Sequence, residues 1–224
     1  AGLEDIRWTA AHAGRVLKRR KVAHGIAFTN FAADVVHEPL GVVGIITPWN
    51  VPIYTVLSGA ACALAAGNTV IVKPSELSAG AGAFVVEGFY KANPGVPVGV
   101  ISYVHGLGET GAALCTSGVD KLAFTGSVPT GRRVMAACAE KLTPVVLELG
   151  GKDATIVAED ADLEAASTAV VWGAFFNGGQ ACVGVERVYV VREVRDTFLD
   201  LVRVKAEKVT AGLEDGVSYG PMIT

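Results

Sequence analysis

Two methionines, four histidines and four cysteines are all that the 224 residues contain of those types. The cysteines, Cys62, Cys115, Cys138 and Cys182, are far apart and form no Cys-x-x-Cys pair. That scatter argues against a zinc ribbon or a disulfide framework, and no metal site is expected. A reducing, cytoplasmic setting fits it. No stretch of about eighteen residues is free of polar breaks, so no transmembrane helix is expected. Basic excess is missing as well: 19 Lys and Arg against 22 Asp and Glu leave a net charge of −3. Nothing in that balance favours nucleic acid or an anionic membrane as a partner. The opening residues, Ala1-Gly2-Leu3-Glu4-Asp5, carry no Met, no basic n-region and no apolar h-region, and read as a chain entered part-way.

What is abundant is small and apolar. Hydrophobic residues make up 51% of the chain and glycine contributes 27 positions. The excess comes from Ala, Val and Gly rather than Leu runs, which suits buried parallel strands and closely packed helices. A chain of this size can bury one large or two small cores. The one local basic run, Lys18-Arg19-Arg20-Lys21, reads as a solvated helix end. Cys62 and Cys138, set among alanines in helical patterns, read as small core fillers.

Residues 26–38 alternate loosely and suggest a strand pair. From residue 41 strands and helices alternate regularly. Strands are expected at 42–46, 69–72, 98–102, 122–124 and 144–148, with helices near 52–66, 79–91, 109–116 and 130–140. That rhythm predicts βαβ units and an open, mostly parallel Rossmann-like sheet flanked by helices. Beyond Gly151 the rhythm changes to strand, long helix across Trp172, a cysteine loop, strand 188–191 and an amphipathic helix. A boundary near residue 150 is therefore expected, with the start of a second α/β domain over 151–224.

Six segments carry candidate chemistry. Thr47-Pro48-Trp49-Asn50 follows the first regular strand at its C-terminal end, where ligands of open α/β sheets bind. The Asn50 amide offers two donors for an oxyanion, or caps the next helix; both readings stand on the sequence. Lys73-Pro74-Ser75-Glu76 ends the second strand and offers groups for a ribose or phosphate, though a turn with a surface ion pair is the plainer reading. Phe124-Thr125-Gly126-Ser127 is a strand, a glycine turn and a helix start, suited to a pyrophosphate and equally to Ser127 as a simple N-cap. Gly106-Leu107-Gly108-Glu109-Thr110-Gly111 fits the dinucleotide pattern Gly-x-Gly-x-x-Gly. It lacks the acid expected about twenty positions on, so it is a turn signal first. Leu147-Glu148-Leu149-Gly150-Gly151-Lys152 and Asn177-Gly178-Gly179-Gln180-Ala181-Cys182-Val183-Gly184 set a carboxylate and a thiol in flexible backbone. They suggest a nucleophile that is acylated and a base that activates water.

In order and spacing, Pro-Trp-Asn, Lys-Pro-Ser-Glu, Phe-Thr-Gly-Ser, Leu-Glu-Leu-Gly-Gly-Lys and Gly-Gln-Ala-Cys resemble the signatures of NAD(P)-dependent aldehyde dehydrogenases, over at least residues 38–222. The resemblance implies residues 1–150 as an NAD(P)-binding domain, with oligomerisation strands near 22–38, and 151–224 as a catalytic domain, both partial. It implies Cys182 as the nucleophile that forms a thiohemiacetal and then a thioester, and Glu148 as the base for its hydrolysis. Asn50, with the Cys182 N–H, is implied as the oxyanion hole. Lys73 and Glu76 correspond to contacts with the adenosine ribose, Gly126 and Ser127 to the pyrophosphate turn, and Ile46 and Trp49 to the cofactor cleft.

No histidine is needed for this chemistry, so His12, His24, His37 and His105 are expected to be structural or exposed. Cys115 has no role in it. Glu148 favours a carboxylic acid product over acyl transfer to coenzyme A, and Glu76 favours NAD over NADP by repelling a 2′-phosphate. Leu77-Ser78 and Leu142-Thr143-Pro144-Val145 resemble a branch that includes members accepting both. The implied partners are a small aldehyde and further copies of the chain, as homodimer or homotetramer. Substrate choice is expected near Val51, Tyr54, Phe175 and Val183. Members of that family run to about twice this length. On its own the chain is expected to be poorly stable and nearly inactive; as an excerpt, it implies an active parent. A non-catalytic scaffold relative and a coenzyme A-acylating dehydrogenase are the alternatives.

Overall fold

The computed structural model describes residues 2–224. The chain forms two compact units, Ala1–Glu148 and Leu149–Thr224. Among the described residues no helix is long and apolar enough to cross a membrane.

The first unit opens with helix α1 (Gly2–Val16), then strand β1 (Arg20–Val22), which pairs antiparallel with β2 (Ala33–Val35). The strand pair expected within 26–38 thus exists in another form. Residues 26–28 make a 3-10 turn, and the partner strand comes from the basic run, where Arg19 bonds Asp34 at 2.6 Å. Apolar alternation gave no hint of β1 because the pair has no buried residue on either face.

The regular part follows: β3 (Val42–Ile46), α2 (Pro52–Ala65), β4 (Thr69–Lys73), α3 (Ala79–Ala92), β5 (Ile101–Tyr103), α4 (Gly108–Thr116), β6 (Lys121–Gly126), α5 (Val128–Ala139) and β7 (Val145–Leu149). Short apolar runs bounded by turns such as Gly67-Asn68 and Gly118-Val119-Asp120 make these strands, and Ala-rich segments make helices such as α2. The sheet order is β5-β4-β3-β6-β7. β3 lies parallel to β4 and β6, and β4 parallel to β5. This is the mostly parallel, helix-flanked α/β sheet that the sequence predicts. β5 is shorter than expected because Gly99 turns the backbone at φ +97° and the ladder begins only at Ile101.

Val43, Ile45, Val56, Ala60, Val70, Val72, Val85 and Ile101 form the core of this unit. Each such side chain contributes roughly 1.5–3 kcal/mol by leaving water. Cys138 is fully buried as expected, whereas Cys62 is exposed on α2. An Ala-rich helix has too little contrast between its faces to show which one Cys62 occupies.

The second unit contains β8 (Asp153–Val157), α6 (Leu163–Phe175), β9 (Val185–Val190) and α7 (Arg195–Ala206). β8 and β9 are parallel, joined through α6 as a crossover. Val157, Val170 and Phe198 form its core. Asp162 caps α6 by accepting from the Ala165 N–H at 3.0 Å, and Lys205 of α7 donates to Ser167 Oγ and Thr168 Oγ1 of α6 at 2.7 and 2.8 Å.

Candidate active site

Sheet order alone picks out one place in the first unit. From β3 the chain builds outward to β4 and β5, then returns to the other side of β3 to lay down β6 and β7. The order reverses between β3 and β6, and in open α/β sheets the crevice for a ligand lies at that point, beyond the C-terminal strand ends. Ile46 is the last residue of β3 and Gly126 the last of β6. Lys73 ends β4 beside them.

After β3 come Thr47, Pro48, Trp49 and Asn50. Trp49 and Asn50 are half-buried. The capping position of α2 falls on Val51, which makes no side-chain cap. Thr47 is 3% exposed, and its hydroxyl has no hydrogen-bond partner. A buried hydroxyl in that state costs about 1–3 kcal/mol.

Lys73 does face Glu76 as an ion pair, as the turn reading expects, but from a buried position. It is buried, its Nζ donates to the Pro74 carbonyl at 3.0 Å, and Glu76 Oε2 stands 3.8 Å away on a side chain that is 51% exposed. Ser75 Oγ accepts from the Leu77 N–H at 3.3 Å and shapes the turn between them.

At Gly126 a Cβ would come within 2.6 Å of the Phe124 ring, so only glycine fits at the end of β6. Ser127 caps α5: its Oγ accepts from the Thr130 N–H at 3.4 Å and donates to Thr130 Oγ1 at 3.0 Å. Cap and phosphate turn are compatible: Pro129 has no N–H and those of Thr130 and Gly131 are used on Ser127, but the Val128 N–H remains at the positive end of the helix dipole.

Gly106-x-Gly-x-x-Gly spans the loop after β5 and the first turn of α4. Gly106, at φ +148°, is the turn glycine that the reading of this segment anticipates. Gly111 was not singled out, yet a Cβ there would meet Ile46 Cδ1 and Lys73 Cδ, both at 3.8 Å. A small residue on the first turn of α4 keeps that helix close to the strand ends, and only the spacing of the pattern hinted at it.

Glu148 lies on β7, exposed, as the last residue of the first unit. Cys182 belongs to the second unit and is exposed. Its surroundings are tightly built. After α6 the backbone enters the left-handed region three times in succession, at Asn177 (φ 55°), Gly178 (φ 66°) and Gly179 (φ 74°). A tight turn follows, closed by the Gly184 N–H donating to the Ala181 carbonyl at 3.1 Å, and Cys182 sits at its tip. An apolar groove beside α6 is lined by Val171, Trp172, Phe175, Phe176 and Val209, with Lys205 at one end. Trp172 and Phe176 pack at 5.0 Å between ring centroids. Phe175, expected near the substrate, belongs to this lining, whereas Val51, Tyr54 and Val183 do not.

Cys115 and Cys138 form a separate buried pair, with the Cys138 thiol directed at the Cys115 carbonyl at 3.9 Å. Burial, reinforced by the neighbouring Cys138, pushes the Cys115 thiol up to about 11, and burial also raises Cys138. Both are unreactive thiols by that criterion.

Residues 1–224 match the sequence model of the Aldehyde dehydrogenase family. Over 221 residues the chain is 40% identical to 4,4'-diapolycopene aldehyde oxidase of Methylomonas sp, covering 98% of this chain and 41% of that one. The fold is shared with the crystal structure of aldehyde dehydrogenase from Brucella melitensis biovar abortus 2308: TM-score 0.91, 37% identity, covering 100% of this chain and 46% of the other. PnpE in complex with nicotinamide adenine dinucleotide superposes with TM-score 0.90 at 36% identity, covering 97% of this chain and 44% of PnpE. The chain thus spans less than half the length of the curated relatives it matches.

Proposed function

The chain belongs to the aldehyde dehydrogenase family, and we propose that it oxidises an aldehyde to a carboxylic acid, with NAD as acceptor, through a thioester on Cys182. The observation that carries this reading is the way the candidate residues gather by element. Ile46, Lys73 and Gly126 occupy C-terminal strand ends around one reversal of sheet order and Ser127 caps the helix that follows, while Cys182 sits exposed at the tip of a glycine-bounded turn.

The first unit fits a dinucleotide on its own structural terms. Gly126 can carry no side chain, which leaves room for a pyrophosphate at the start of α5, where the Val128 N–H and the Ser127 hydroxyl would hold it. Lys73 is a buried cation with a single carbonyl as hydrogen-bond partner and a carboxylate beyond hydrogen-bond range, an incomplete set that ribose hydroxyls would complete. Trp49 and Ile46 would line the cleft. Glu76 beside Lys73 favours NAD, because its carboxylate would repel a 2′-phosphate. Bound NAD supplies the acceptor for the hydride that leaves the aldehyde carbon.

The chain's own groups supply the rest. The Cys182 thiolate adds to the carbonyl carbon, and the oxygen takes up negative charge. Asn50 and the Cys182 N–H stabilise that charge by donating hydrogen bonds, an effect worth about 3–4 kcal/mol per donor. Loss of hydride leaves the acyl group on sulfur. Glu148 takes a proton from water, the water adds to the thioester, and the carbon–sulfur bond breaks to release the acid and the thiol. A carboxylate at position 148 favours this hydrolysis over transfer to coenzyme A.

A reducing, cytoplasmic compartment keeps Cys182 as a thiol. Ile26, Phe28 and Phe31, exposed at 92%, 57% and 67% around the β1–β2 pair, support self-association through this segment. NADH formation with a panel of aldehydes, with and without coenzyme A, tests the activity. Turnover that needs no coenzyme A and disappears in Cys182→Ala is the expected result. Turnover that persists in Cys182→Ala, or that requires coenzyme A, would overturn the proposal.

A further inference from the structure

Residues 219–224 lie against the left-handed run that leads to Cys182. A Cβ at Gly178 would come within 2.6 Å of Met222 Sδ and 3.3 Å of Tyr219. The Gln180 side chain adds hydrogen bonds between the two segments. Gln180 Nε2 donates to the main-chain oxygen of Thr224 at 3.2 Å and to its Oγ1 at 3.4 Å, and Gln180 Oε1 accepts from the Ile223 N–H at 3.4 Å. Its orientation is fixed by those partners: turning the amide over would set NH2 against N–H and oxygen against oxygen. The main chain of the same residue closes the run from within. Gln180 N–H donates to the Asn177 carbonyl at 3.1 Å, and Asn177 Nδ2 donates to the Gln180 carbonyl at 3.2 Å.

Gly178 and Gly179 take the left-handed conformation at no steric cost, whereas Asn177, the non-glycine member of the run, is held there by its bonds to Gln180. We propose that Gln180 is a positioning residue, whose carboxamide clasps residues 223–224 and thereby fixes the turn that presents Cys182. The proposal rests on the reading of Cys182 as nucleophile. It explains why an amide stands two residues before the thiol. The position needs a donor and an acceptor at once, which glutamate, methionine or leucine cannot supply.

Hydrogen exchange followed by mass spectrometry on Gln180→Glu and Gln180→Met decides the clasp without requiring turnover. Exchange should rise about fivefold over both 177–184 and 219–224, as expected for losing two or three modest hydrogen bonds, while β8 and β9 stay protected. Unchanged exchange over 177–184 would overturn the proposal, whatever happens at 219–224. In aldehyde oxidation both variants should lose about tenfold or more in kcat with KM within twofold, the mark of a displaced reacting group. A raised KM at unchanged kcat would overturn it too. Turnover that survives Cys182→Ala would instead refute the nucleophile reading and leave exchange to judge the clasp.

Discussion

Replacing Lys73 by methionine should make the protein more stable and worse at binding NAD. The side chain is 6% exposed, so its ammonium has lost most of its water. What it has in return is one hydrogen bond, to the Pro74 carbonyl at 3.0 Å. Glu76 Oε2 at 3.8 Å is too far to accept, and the glutamate is half in solvent. At that distance Coulomb attraction ranges from about 1 kcal/mol in water to about 4 kcal/mol at an effective dielectric near 20, and an exposed partner lies toward the low end. A charge-assisted hydrogen bond adds about 1.5–3 kcal/mol. Removing an ammonium from water costs several kcal/mol, so the folded state gains little from it, and an apolar isostere is neutral or stabilising.

Met fills nearly the same volume, so Lys73→Met leaves no cavity. Unfolding free energy should rise by about 1 kcal/mol, and Tm by about 2–4 °C for a chain of this size. NAD affinity should fall about tenfold to a hundredfold, from loss of one charged donor to the ribose. Calorimetric unfolding and NAD titration on the same preparation read both quantities. A loss of stability with affinity intact would show that Lys73 is structural, and the reasoning would fail.

Gly126→Ala should lower stability by about 1–3 kcal/mol, because the new Cβ would stand 2.6 Å from the Phe124 ring, and should abolish NAD binding in the fraction that remains folded; chemical denaturation and NAD titration check both. The Cys115 thiol predicts alkaline sensitivity: protonated in both states below its unfolded value of 9.0, it ionises first in the unfolded chain as pH rises. Stability is therefore lost between pH 9 and about 11, by roughly 3 kcal/mol at most for a two-unit difference. Cys115→Ala should flatten that limb, and a wild-type denaturation midpoint that falls no faster than the variant's would contradict the assignment.

How far the sequence foretold this structure depended on where the decisive contacts lie along the chain. β3 (Val-Val-Gly-Ile-Ile) and β4 (Thr-Val-Ile-Val-Lys) are apolar runs that stop before Pro48 and Pro74, with Gly67-Asn68 opening β4, so strand ends, and with them Ile46 and Lys73, could be placed to within a residue. The ends of strands in a parallel sheet are where such ligands bind, and that made the candidate residues legible before any coordinates. Burial was not legible. Lys73-Pro74-Ser75-Glu76 has the composition of an exposed turn, and only the packing of α4 through Gly111 shows that the lysine is covered. Long-range clasps were equally hidden: Gln180 meets Ile223 and Thr224 across more than forty positions, and no local pattern encodes that. The β1–β2 pair was misplaced because a strand with both faces in solvent has no apolar period to read.

The two edges of the central sheet treat their polar groups differently, and the difference is physical support for where the ligand goes. At the N-terminal edge the side chains of Asn68, Asp120 and Tyr90 are all hydrogen-bonded. Asn68 Oδ1 accepts from the N–H groups of Leu40 and Gly41 at 2.6 and 3.0 Å, while its Nδ2 donates to the Ala63 carbonyl. Asp120 accepts from the Val42 N–H at 2.7 Å, and the Tyr90 hydroxyl joins Gly99 and Ile101. Each of those contacts ties a strand start to its neighbour and contributes to stability alone. At the C-terminal edge Thr47 has a buried hydroxyl without a partner, and Lys73 has a buried charge with one. Gly126 gives up a side chain altogether. None of these features lowers the free energy of the empty fold. Local rules are broken where a fold is shaped for something other than its own stability. Here the breaks fall together at the strand ends that flank the reversal between β3 and β6. If that edge were merely a poorly packed rim, substitutions there would stabilise without loss. The opposed changes expected for Lys73→Met in stability and in NAD affinity separate the two cases.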